Sequence, residues 1–305
     1  MRISLKFEDY IMTTLKSVLF VFISQLSGNA LSADWESADS LFDKRGEATS
    51  SNTQILDEAR SAYKLILKDA SANADKVRAV VQLSRLAEYE GFMVAKQDNN
   101  SAITEVYGDC WCRSYSMFSG SCSRGGFIEE ISPEKIGQEL TAYRYYKGLC
   151  TARWTSVQPI TTMIRMGGKV NKLIKKALTM DEEFKGGAIY RLAAGVYGDP
   201  IVKPLGYYDI VKSTEYVNNA FATSAGYDYF DNYYGAVVIM RNRHNDEPNS
   251  GWKDQAIAYA EEALIIADDL IAGNAEPADE KPEFYFYVGK IKELYKELTG
   301  SDWPG

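Results

Sequence analysis

Histidine is almost missing from this chain: His244 is the single one among 305 residues. A zinc or iron site built on two imidazoles is thereby excluded, and no metal is expected. Positive charge is in deficit, with 34 Lys+Arg against 42 Asp+Glu and a formal net charge of −8. Nucleic acid and anionic membrane surfaces both call for a basic face, so neither is expected as the main partner. Alternating strand patterns are nearly absent, and no apolar run approaches the ~20 residues that a spanning helix needs. Phosphate-cradling glycine motifs and a G-x-S-x-G elbow are also lacking, and no cofactor is expected. What is present is enough apolar material for a core, 46% of residues, and an excess of tyrosine. The 21 Tyr outnumber the 12 Phe and 5 Trp together.

Residues 1–32 read as an export signal. Lys16 precedes a short apolar run at 18–23, and Ala30-Leu31-Ser32 offers small residues for cleavage after Ser32. The expected mature chain, 33–305, is a single helical domain without a membrane span, in the periplasm or secreted.

Apolar residues then recur at helical spacing in segment after segment. Ile55, Leu56, Ala59, Tyr63, Ile66 and Leu67 form one stripe, with Ser51 and Gln54 as a capping box. Another runs through Val77, Val80, Val81 and 83–87, and a third through Ile160, Met163, Ile164, Val170, Ile174 and Ala177. Ser132-Pro133-Glu134 opens a helix running to Trp154, and shorter helices are expected at 183–197, 210–225 and 229–242. The last stripe joins Phe284, Tyr287, Val288, Ile291, Leu294 and Leu298 behind Pro282. These patterns predict an all-α fold of about ten helices.

Internal echoes favour a repeat. Ala59-x3-Tyr63-x2-Ile66 returns as Val170-x3-Ile174-x2-Ala177 and as Ser213-x3-Val217-x2-Ala220. Residues 56–91 resemble tetratricopeptide repeats, which implies degenerate helical-hairpin repeats forming a solenoid or compact helical array.

Residues 97–132, dense in Ser and Gly, read as a long inserted loop carrying three of the four cysteines. Cys110, Cys112, Cys122 and Cys150 do not have the paired C-x2–4-C knuckles of a zinc site; in an exported chain they read as two disulfides. Three connectivities are open. Cys112–Cys122 with Cys110–Cys150 is favoured, on the reasoning that 110 and 112 point the same way from an extended segment. His244, within a polar stretch between helices, has no local nucleophile or orienting acid and reads as a solvated loop residue. Asp228-x2-Asp231-Asn232 lacks the glycine and distal glutamate of a calcium loop.

The tyrosines concentrate at 143–234. Tyr146, Arg153 and Trp154 fall on one helix, Tyr190, Arg191 and Tyr197 on another, and Tyr207 and Tyr208 follow. Tyrosine offers a large surface with a polar tip at small entropic cost, and with interspersed arginine it suits a groove for a small organic anion or a partner segment. Packing between helical layers is the plainer use of the same side chains. Gly148 to Trp154, and Lys185-Gly186-Gly187-Ala188-Ile189-Tyr190-Arg191 followed by Gly195 and Pro200, resemble the periplasmic T-component proteins that accompany TRAP transporters. That resemblance implies a helical repeat array with a groove or pore for apolar or anionic small molecules. It also implies association with the transporter's substrate-binding subunit or another envelope protein, and it carries Arg191 and the nearby aromatics over as ligand contacts. Gly186 and Gly187 would let helices approach closely. The expected function is a non-enzymatic binding or scaffold protein; a helical-toroid carbohydrate hydrolase or lyase is the alternative.

Overall fold

A computed structural model describes residues 34–94, 100–116, 140–273 and 275–305. The expected signal at 1–32, the helix start at Ser132-Pro133-Glu134 and Cys122 lie outside the described residues. Eleven α-helices follow one another, and no strand occurs among the described residues. They are α1 (Trp35–Asp43), α2 (Gln54–Asp69), α3 (Asn73–Glu88), α4 (Asn100–Ser116), α5 (Leu140–Ser156) and α6 (Ile160–Ala177). Then come α7 (Ala188–Gly198), α8 (Ile210–Phe221), α9 (Phe230–Asp246), α10 (Trp252–Gly273) and α11 (Lys281–Thr299). The fold is all-α, and the helical spacing accounts for it. In α2, Leu56, Ala59, Tyr63 and Ile66 are buried one turn apart; in α11, Phe284, Val288, Ile291 and Leu298 do the same.

Local chemistry sets the helix ends. Asp34 and Asp209 cap α1 and α8 by accepting the N–H groups of Ser37 and Lys212, at 2.7 and 2.9 Å. The capping box expected at Ser51 does not form. Gln54 is the first helical residue and bonds Glu58, while the Ser51 hydroxyl pairs with Thr49. The first amide of α9 is capped from 49 residues away: Phe230 N–H donates to Asp279 Oδ2 at 2.6 Å.

Two expectations about the middle of the chain are corrected. Much of the stretch read as a loop at 97–132 is the helix α4, whose Ile103, Tyr107 and Cys110 stand at i, i+4 and i+7 and are buried. Cys110 and Cys112 therefore sit on helical, not extended, backbone, where residues two apart point to different sides. Cys110 bonds Cys150 of α5 across a Cα–Cα distance of 5.7 Å. His244 likewise belongs to α9, which continues to Asp246, and is half-buried there.

Neighbouring helices pack in sequence, α2 on α3, α4 on α5, α7 on α8, α9 on α10, with α3 also against α5, α7 against α9 and α9 against α11. Three large buried apolar clusters result, α1 to α3, a middle one from α3 and α5 to α7, and the largest from α7 to α11, beside a small one of Ala87, Cys110 and Cys150. The first and last are fastened together. Arg45, in the 3-10 turn after α1 and only 2% exposed, pairs with Glu280, the N-cap of α11, and with Glu283 in its first turn. Its Nη1 donates to Phe42 O at 3.1 Å, and its guanidinium lies 4.1 Å over the Phe42 ring. Arg85 of α3 also pairs with Glu280.

A candidate ligand cavity

A cavity of about 580 Å³ opens between the helices, within the size range of small-molecule sites. Helices α5, α6 and α9 each turn one face to it. α5 presents Tyr145, Leu149, Ala152 and Arg153; α6 presents Met163, Gly167, Val170 and Asn171; α9 presents Asp231, Tyr234, Gly235 and Val238. These are the i, i+3, i+4, i+7 and i+8 spacings of one helical face. α7 contributes Arg191, Ala194, Gly195 and Gly198. At the end of α3 the backbone widens into a π-helical segment, Tyr89–Val94, and Phe92 joins the wall from there while Glu88 joins from the last residue of α3. Such widenings recur at functional positions.

Of the residues expected at a site, Arg153, Arg191, Tyr197 and Tyr207 line the cavity. Tyr207 lies against α6 where residue 167 is glycine; a Cβ there would stand 2.5 Å from its ring. The other four stand elsewhere. Tyr146 is buried with its hydroxyl 3.3 Å from Lys185 Nζ, and the Trp154 ring passes Gly108. Tyr190 donates to Glu182 at 2.8 Å, and Tyr208 donates to Asp246 at 2.5 Å. Many tyrosines of 143–234 thus serve as layer packing, Tyr143, Tyr145, Tyr146, Tyr197 and Tyr233 all being buried.

The two arginines differ in state. Arg191 meets Asp231 at 2.5 Å and donates to Asn232 Oδ1. Asn232 in turn donates to the carbonyls of Gly186 and Gly226, both at 2.7 Å. Arg191 is therefore the hub of a network that holds the turn before α7. That turn is left-handed at Lys185, Gly186 and Gly187, with φ of 45°, 56° and 86°. A Cβ at Gly187 would come within 2.8 Å of the Ala220 backbone, so glycine lets this turn seat on the end of α8.

Arg153 has no ion pair or hydrogen bond to its guanidinium among the described residues, and its Nε is buried without a partner. An aromatic face lies against it: Cζ is 4.5 Å from the centre of the Phe92 ring. Glu88 also lacks a hydrogen-bonded partner among the described residues. Burial pushes its carboxyl above the ordinary range, opposed first by the positive charge of Arg153. Asp231 is also raised by burial, against the pull of Arg191 and Lys185. Both Glu88 and Arg153 are half-buried by the protein, and both line the cavity.

Sequence reasoning missed Glu88, Phe92 and Asp231. For Glu88 a signal existed: positions 77, 81, 84 and 88 share one helix face, and the first three are buried Val, Val and Ser. A lone carboxylate that continues an apolar stripe is a candidate wall residue. Among the described residues no cluster of three or more His, Cys, Asp or Glu could hold a metal ion, and no helix is long and apolar enough to cross a membrane. No protein-family model and no curated protein matches the chain, so the arrangement of the cavity wall is what speaks for its chemistry.

Proposed function

We propose that the protein is a non-catalytic binding protein that holds a small organic acid in this cavity, with Arg153 as the carboxylate partner. One observation carries the reading: a guanidinium without a counter-ion in the wall of a largely apolar and aromatic cavity. A buried cation is costly until an anion meets it, and a carboxylate fits the guanidinium fork with two parallel hydrogen bonds. Arg191 is already neutralised by Asp231, so its part is to hold the wall in place.

The finer architecture we assign is a degenerate hairpin-repeat array of tetratricopeptide type. Its support is that the three echoed segments each put the same positions inside: Ala59, Tyr63 and Ile66; Val170, Ile174 and Ala177; and the small polar Ser213 with Val217 and Ala220. Export and a place beside an envelope transporter's substrate-binding subunit complete the proposal. The Cys110–Cys150 bond agrees with an oxidising compartment.

Native mass spectrometry of the protein drawn from its own envelope tests the reading, and a retained small acid is the expected result. Arg153→Met should lose that ligand while keeping the helical circular dichroism of the parent. Retention of the ligand by a folded Arg153→Met protein would overturn the assignment.

A further inference from the structure

The following rests on the cavity being a ligand site and concerns what the ligand must carry besides a carboxylate. Most charges of the wall are matched within the protein: Arg191 by Asp231, Arg241 by Glu297, and Asp199 by the backbone N–H of Ile201. Arg153 and Glu88 remain. They share one wall and feel each other's charge, yet no hydrogen bond or ion pair joins them. The protein thus holds an unmatched cation and an unmatched carboxyl in a low-dielectric space, and each is a cost until something satisfies it.

Three ligand classes compare as follows. A simple carboxylate satisfies Arg153 and leaves Glu88 to be protonated. A simple amine satisfies Glu88 and strands the guanidinium, which cannot lose its proton. A zwitterion satisfies both and adds no net charge to the cavity. We infer that the cavity takes a zwitterion, its carboxylate on Arg153 and its ammonium on Glu88, with an apolar body between or beside them, as in an apolar amino acid or short peptide. Leu149, Val196, Val238 and the rings of Phe92 and Tyr234 supply the apolar wall for that body. The volume leaves room for more than a single small residue.

Titration calorimetry with an apolar dipeptide, Val-Phe, and its two blocked forms tests this on the full-length protein. The free dipeptide should bind. N-acetylation, which removes the ammonium, and C-amidation, which removes the carboxylate, should each weaken binding about 10–100-fold, the effect of losing one charged hydrogen-bonded contact. In Glu88→Gln the free and acetylated forms should bind equally, and in Arg153→Met the free and amidated forms should. An acetylated dipeptide that binds the parent protein as tightly as the free one overturns the zwitterion and leaves the acid site standing. So does binding of 3-phenylpropanoate without binding of any dipeptide. If none of these compounds binds the folded protein, the inference and the reading beneath it both fall.

Discussion

Two arginines, the buried Arg45 and the half-buried Arg153, show what one side chain does in two surroundings. Arg45 is fully occupied: two carboxylates, a backbone carbonyl and an aromatic face take up its donors and its charge. Arg153 has only the face of Phe92. Holding a guanidinium away from water is costly in either place, and the two residues differ in what compensates that cost. At Arg45 the compensation is internal, and the residue serves the fold. At Arg153 it is missing from the protein, and a residue left so serves something that comes from outside.

The largest expected effect comes from breaking the occupied arginine. Arg45→Ala should cost about 3–5 kcal/mol in a urea melt, because Glu283 loses its partner and Glu280 keeps only Arg85 where the first and last clusters meet. A loss below 1 kcal/mol would show that solvent takes over the role of the guanidinium. Replacing the Cys110–Cys150 bond, which spans a sequence separation of 40, by two alanines should cost about 2–4 kcal/mol. That places a second fastening beside the first, and equilibrium unfolding measures it. The pH comparison concerns Asp279, whose carboxyl is pushed up to about 8 by burial and by Asp231. A group that takes up a proton on folding gives stability that is complete below its unfolded pKa and is lost as pH rises through the folded one. Stability should therefore decline from pH 5 towards 8, by up to about 1.4 kcal/mol per pH unit for each such group. Asp279→Asn, which keeps an oxygen for the Phe230 amide, should flatten that decline, and urea melts across the range would show it. The smallest effect is expected at the unoccupied arginine. Arg153→Met should change stability by less than about 1 kcal/mol, with a gain as plausible as a loss, since an unpaired buried charge is exchanged for apolar volume. A loss as large as that for Arg45→Ala would erase the contrast between the two residues.

The helices were legible because burial on one side of a helix leaves a 3.6-residue trace, as in Leu56, Ala59, Tyr63 and Ile66. The helix α4 leaves the same trace in Ile103, Tyr107 and Cys110, but the Ser- and Gly-rich residues that follow it hid the pattern. The cavity was half legible. Arg153 and Arg191 stand out as cations among aromatics, whereas which of them is paired depends on Asp231 coming from another helix, 40 positions along the chain from Arg191. Pairing across helices leaves no periodic trace. Phe92 depends on a backbone widening that no residue type announces, and Glu88 looked like one more surface acid because its stripe was read only for its apolar members.

The contact of Arg45 with Glu280 and Glu283 has a consequence for how such an array can vary. Helical hairpins stacked in a row can usually be lengthened or trimmed by a unit, each unit adding its own share of stability. Here residues 235 and 238 positions apart hold each other, so on the proposed repeat reading the two ends of the row are tied together. Inserting or deleting a hairpin anywhere between would move Glu280 and Glu283 off their arginine, and the damage would be felt at the seam, not at the cut. The number of helices is in that sense bound to the contact between the two ends.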